Sequence, residues 1–406
     1  MKKNKCFGFI AMVLLGLFTA PGLVAQTTIQ QTYYVNATTG NDANNGRREE
    51  APFKTMQKAI ESAGMGVVRT ITIIGSVNGF RIEGTGSNEI TITGKPNATE
   101  AEKAKINGRV DISQNTVVKF IYLTIENPGG NGISSEGKVT LGRNAVIQNC
   151  LGYGVSVGIN YQGQQEQIVL TENAVITGCK ESGVRSDGGS VIMTDDSSIT
   201  NNQIGIRSYD ERFSLTMSGN AKISYNQNSG VKSDDNNTPV GTVTISGNTE
   251  ISYNTTVSAT RDSNRSPIRG GGVYVRNFVM NGGKIINNTA SENGGGVYCN
   301  NAKITGGEIS GNQAEKGGGV YISSAWDRSS TITGGVITKN KADYGAGIFV
   351  ESRHSLAISR ANINLNEAEF VGGGLYLESG ATYTASSGII TRNTAGDGVG
   401  HDVFNQ

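Results

Sequence analysis

The feature that most limits what this chain can fold into is a glycine-led repeat in its second half. Gly270-Gly271-Gly272, Gly294-Gly295-Gly296, Gly317-Gly318-Gly319, Gly345-Ala346-Gly347 and Gly372-Gly373-Gly374 each precede an aliphatic, an aromatic and another apolar residue. The continuations are Val273-Tyr274-Val275, Val297-Tyr298-Cys299, Val320-Tyr321-Ile322, Ile348-Phe349-Val350 and Leu375-Tyr376-Leu377. Weaker copies stand upstream at Gly132-Ile133, Gly154-Val155, Gly183-Val184, Gly205-Ile206 and Gly230-Val231, and a last one at Gly398-Val399. A repeat of roughly 25 residues is the mark of a solenoid.

A second register supports the first. A few residues before each glycine element stands Asn202, Asn226, Asn254, Asn288, Asn312, Asn340, Asn366 or Asn393, with Cys150 and Cys179 in that place in earlier coils. Asparagines stacked at a turn can hydrogen-bond the next coil. Between the registers lie two more short apolar-alternating runs, such as Lys303-Ile304-Thr305 and Glu308-Ile309-Ser310. Period-two alternation excludes a helical repeat. Three short strands per coil stack as parallel sheets about 4.8 Å apart, and parallel crossovers are right-handed. The expected fold is all-β: a single right-handed parallel β-helix of about a dozen three-strand coils. The 57 glycines and 6 prolines fit many tight corners.

The expected division is a leader over residues 1–25, an extended segment and capping helix over 26–65, and the β-helix over 66–406. Lys2, Lys3 and Lys5 precede an apolar stretch over residues 7–18, too short to span a bilayer, and Leu23-Val24-Ala25 offers a cleavage site. The chain is therefore expected to be exported, secreted or held at the cell surface, with no transmembrane segment in the mature part. Without the leader, 32 basic residues face 34 acidic ones, which argues against a nucleic-acid or anionic-membrane partner. Cys150, Cys179 and Cys299 remain, an odd number that leaves at least one thiol free or paired between chains. Phe53, Met56, Ala59 and Ile60 share one helical face, as a helix covering the first coil would require.

The opening Tyr33-Tyr34-Val35, the Gly40-Asn41-Asp42 turn and Pro52-Phe53-Lys54-Thr55-Met56-Gln57-Lys58-Ala59-Ile60 resemble the start of many pectate-lyase-superfamily proteins. The Gly-Gly-Gly-Val-Tyr coils resemble those of bacterial polymorphic outer-membrane and other adhesin-like surface proteins. The resemblance implies a β-helix and says little of activity.

In the strand after each glycine the first and third residues point inward, so the second points away from the interior. Those second positions read Ser134, Ser156, Arg185, Arg207, Lys232, Tyr274, Tyr298, Tyr321, Phe349 and Tyr376. The expectation is a solvent-facing ladder of three cations and five aromatics. Tyr274, Tyr298, Tyr321, Phe349 and Tyr376 would then form a sugar-binding strip, with Trp326 in the 323–330 loop as a further stacking residue. The plainer reading is that like residues simply stack on one another.

The cations have acids nearby: Asp187, Asp210, Asp234 and Asp235. The resemblance to lyases suggests an alternative in which these acids hold Ca²⁺ against an acidic polysaccharide and Arg185, Arg207 or Lys232 removes a proton in a β-elimination. The plainer reading is charge balance between stacked cations. His354 is read as a solvated corner residue. The leading function is non-catalytic binding of a polysaccharide or of a cell-surface glycan or protein, needing no cofactor. A structural or assembly role is the third possibility, through self-association at the last coil, where residues 398–406 look unfinished.

Overall fold

The computed structural model describes residues 31–62, 69–83, 89–158, 166–256, 269–325, 329–396 and 398–406. The leader region lies outside these residues, as does Trp326. Among the described residues the chain is a parallel β-helix of about 11 turns, right-handed as parallel crossovers are, with one helix, Met56–Ser62, near its start. A typical coil runs through Val231–Asp235, Thr242–Ile245 and Glu250–Ser252. Each of these pairs in register with the equivalent strand one coil away. The sheet begins before residue 66, because Gln31–Val35 already pairs in parallel with Arg69–Ile73.

The helix does what its apolar face requires. Met56, Ala59 and Ile60 are buried with Phe53 and Tyr33 against the first coil. The Asn41-Asp42 turn fixes its start. The Asp42 carboxylate accepts from the Lys54 and Thr55 N–H groups, and the Thr55 hydroxyl caps the Lys58 N–H.

One continuous apolar column fills the interior. Its members are the inward residues of all three strands, such as Val184, Val231, Val297, Phe120 and Phe278. The third position of the glycine-led strand also points inward, and Ser186, Ser208 and Ser233 are fully buried there.

The asparagines form an unbroken buried ladder. The Asn202 N–H donates to the Asn226 Oδ1 at 3.0 Å, and the pattern continues through Asn254, Asn288, Asn312, Asn340, Asn366 and Asn393. Each Nδ2 also donates to a carbonyl of an adjacent coil, as Asn312 does to Ile285 O at 2.9 Å. Cys179 ends the ladder at one side, donating its N–H to Asn202. Asp402 ends it at the other, accepting from the Asn393 N–H and Nδ2. Residues 398–406 supply one more rung, since Val403–Asn405 pairs with Leu375–Leu377.

Cys150, Cys179 and Cys299 are all buried free thiols. His354 is not a solvated corner. It is 1% exposed, with Nε2 3.0 Å from the Ser330 hydroxyl, because the corner folds inward between coils.

Asn312→Ala should cost about 3 kcal/mol, since it leaves several buried donors and acceptors without partners. Urea unfolding checks this. A loss under about 1 kcal/mol would mean that the ladder follows the fold rather than holding it.

Candidate functional site

The second positions of the glycine-led strands form one in-register column. It runs Arg81, Asp111, Ser134, Ser156, Arg185, Arg207, Lys232, Tyr274, Tyr298, Tyr321, Phe349, Tyr376, Phe404. Alternation therefore places these side chains outside the interior, as expected. It does not place the aromatics in solvent.

Tyr274, Tyr298, Tyr321, Phe349 and Tyr376 are buried as a second apolar cluster of their own. Their exposures run from 1% to 8%, so they cannot form a sugar-binding strip on the free surface. The cause is the chain between the asparagine and the next glycine. In the early coils that connection is short: Cys150 to Gly154, Cys179 to Gly183, Asn202 to Gly205, Asn226 to Gly230. In the later coils it is roughly twice as long: Asn288 to Gly296, Asn312 to Gly319, Asn340 to Gly347, Asn366 to Gly374. The added residues pair coil to coil, as Lys341–Tyr344 does with Glu367–Val371, and make a shelf over the rings.

Arg269 sits over the Tyr298 ring at 5.3 Å, Lys316 over Phe349 at 5.5 Å, and Tyr344 meets Tyr376 edge-on. Glycine lets the shelf turn back so tightly. Gly294 has φ 70°, and a Cβ on Gly295 would lie 2.6 Å from the Gly318 carbonyl oxygen. The covered rings stack with centroids 4.7 to 4.9 Å apart from Tyr274 to Tyr376. The longer connection was the signal in the sequence that could have revealed the shelf.

The cationic steps are arranged differently from the lyase expectation. Arg185 pairs with Asp187 at 2.8 Å and donates to the Tyr153 hydroxyl at 3.1 Å. Asp210 does not serve Arg207. It is held by Arg212, through Nε at 2.9 Å and Nη2 at 2.8 Å. Arg207 instead faces the buried Asp234 at 3.9 Å and lies 4.5 Å over the Tyr209 ring. Lys232 is buried between Arg207 and Tyr274 in the column. Asp235 is exposed in a hairpin with Thr238.

The four acids are thus distributed among separate partners. Among the described residues, no group of three or more His, Cys, Asp or Glu side chains is placed to hold a metal ion. Asp187, Asp210, Asp234 and Asp235 do not converge into one carboxylate cluster. Burial alone would lower the Arg185 guanidinium, but the hydrogen bond and charge of Asp187 outweigh it and hold Arg185 above its ordinary value. A guanidinium held more firmly protonated is a poorer base.

The open part of the column lies where its side chains are smallest. Above Ser134 and Ser156 is a cleft of about 270 Å³, lined also by Arg81, Arg109, Asp111, Ser113 and Glu136. Arg109 is paired with Asp111 at 2.9 Å, and Arg81 with Glu83 at 2.6 Å. In the register, Ser156 is followed by Arg185, whose guanidinium lies 5.2 Å over Tyr153 and 5.4 Å over Tyr209. No repeat signal in the sequence marks Arg81, Arg109, Tyr153 or Tyr209. Arg81 and Arg109 stand ahead of the recognisable glycine repeat, and Tyr153 and Tyr209 lie off the second-position column.

Two outcomes follow from the covered ladder. Tyr298→Ala should lower stability by about 3–5 kcal/mol, as for other buried aromatics, and unfolding experiments read it directly. The second concerns pH. Burial pushes the Tyr274, Tyr298, Tyr321 and Tyr376 phenols up. The unfolded chain releases these protons near pH 10 while the folded chain keeps them, so stability is complete below about pH 10 and falls above it. Urea midpoints at rising pH should show this fall, and Tyr298→Phe should reduce it. A slope unaltered by Tyr298→Phe would place the alkaline loss elsewhere.

No family model matches the sequence, and no curated protein matches it. Among solved structures the chain is similar to that of pectate lyase Pel9A, at 14% identity over 90% of this chain and 79% of that one, with a TM-score of 0.32. The site is accordingly read from its own residues.

Proposed function

We propose that this is an exported β-helix protein, secreted or held at the outer surface of the cell, that binds glycan without catalysis. The binding site is the cleft over Ser134 and Ser156. The observation that carries this reading is the change in the outward column. From Tyr274 onward the column is roofed by the shelf, whereas at Ser134 and Ser156 it is open and polar.

Arginines paired with carboxylates and interspersed with serine hydroxyls present donors and acceptors fixed in position. That is what orients a polyhydroxylated ligand. Arg185, held by Asp187 and the Tyr153 hydroxyl, extends the cleft along the axis and adds a fixed positive charge that attracts a sugar carboxylate. The engagement of Arg185 by Asp187 and the scattering of the acids favour binding over β-elimination. Ca²⁺ has no part in this reading.

The test is binding to a panel of acidic and neutral polysaccharides, alongside an assay for unsaturated sugar ends with Ca²⁺ and with chelator. Arg109→Ala and Arg185→Ala should each weaken binding of an acidic polysaccharide about tenfold, the loss of one charge-assisted contact, with little change in unfolding midpoint. Binding unchanged in both variants would refute the cleft as the site. A Ca²⁺-dependent rise in unsaturated ends would replace the reading with a lyase.

A further inference from the structure

Outside this cleft, a second surface has the chemistry of a sugar site. Each coil turns into its asparagine through one residue with positive φ. Down the stack that residue is Asn149, Asn201, Tyr225, Tyr253, Asn287, Lys339, Leu365 or Arg392, with glycine at Gly178 and Gly311. The turn demands only a left-handed backbone, which Asn and Gly adopt most cheaply. Two consecutive coils nevertheless carry tyrosine, at φ 56° and 52°.

The Tyr225 and Tyr253 rings are parallel within 3°, with centroids 5.0 Å apart. They are 56% and 43% exposed, unlike the covered ladder. Exposed Asn201 and Asn287 bracket the pair one coil away on either side. Gln227 and Thr255 stand two residues beyond each ring, and the Thr255 hydroxyl donates to the Gln227 carbonyl at 3.3 Å.

We infer that Tyr225 and Tyr253 form a separate binding site for a neutral glycan, stacking on the C–H face of a pyranose ring while the flanking amides bond its hydroxyls. Two features choose this ligand. The patch consists of two rings only, edged by amides and a hydroxyl, and lacks the broad apolar area of a protein interface. The residues bracketing the rings in the column carry no charge, and on the strand before them Glu250 stands between Lys222 and Lys284, so no unopposed cation there selects a carboxylate or a sulfate. None of its residues belongs to the Ser134–Ser156 cleft, and the inference does not depend on that cleft being a binding site.

The experiment is affinity electrophoresis of the protein through gels holding mixed-linkage β-glucan or galactomannan, with titration calorimetry on a hexasaccharide of each. The wild type should be retarded by at least one of the two. The double variant Tyr225→Ala/Tyr253→Ala should weaken that binding about tenfold or more, the loss of two ring faces. Tyr225→Phe/Tyr253→Phe should retain it, because the ring face is kept. Arg185→Ala should leave it intact. No retardation of the wild type by either polysaccharide would overturn the inference. So would retardation equal in the double alanine variant, or loss of neutral-glycan binding in Arg185→Ala. Should the double alanine variant fold poorly, the single variants Tyr225→Ala and Tyr253→Ala decide the same question, each weakening the binding, and unchanged binding in both would overturn the inference.

Discussion

Everything in this molecule depends on one spacing: each strand lies about 4.8 Å from its copy in the next coil. Parallel pairing at that distance satisfies the backbone. It also forces residues at equivalent positions into contact, so the sequence must offer partners that tolerate their own likeness above and below. Asparagine does so, because its amide donates in one direction while its carbonyl accepts in the other. The buried run from Asn202 to Asn393 is the result. Its ends show the rule by exception. Cys179 needs only to donate its N–H, and Asp402 needs only to accept.

The same spacing governs the outward column, where it produces opposite solutions in the two halves. Like charges one coil apart repel, so Arg185 and Arg207 each face a carboxylate and share the Tyr209 ring. Aromatic rings at this distance stack favourably and need no such compensation. From Tyr274 to Tyr376 they are also covered from water, by the shelf carrying Arg269, Lys316 and Tyr344. The result is a second apolar core alongside the first, separated from it by a single strand.

The repeat made the architecture legible: the three-strand coil, the ladder, the inward face and the helix over the first coil could all be read from residue spacing. Local alternation carries that information, because it depends only on neighbouring residues. The exposure of Tyr274 to Tyr376 was misread because exposure is not a local property. It depended on a connection of seven or eight residues, from Asn288 to Gly296 and its later copies, folding back over its own coil. The pairing of Asp210 with Arg212 rather than Arg207 was hidden for a similar reason. Nearness in sequence does not say which of two cations a carboxylate turns toward.

A solenoid of this kind separates stability from recognition more sharply than a globular domain can. The interior is shared by all coils and the ladder by those from Asn202 to Asn393, so altering one solvent-exposed residue disturbs little beyond its own rung. Connection length is then a means of control. A longer connection roofs the outward position, and where the connection is short and the side chain small, as at Ser134 and Ser156, the position is open. The position before the ladder is freer still, because its backbone is set by the turn while its side chain projects outward. Tyr225 and Tyr253 occupy that position at a backbone cost of order 1 kcal/mol each relative to asparagine or glycine. Their mutual stacking, about 1 kcal/mol for the pair, returns roughly half of that. A pair that costs folding more than it returns is one whose identity the surface, rather than the core, decides.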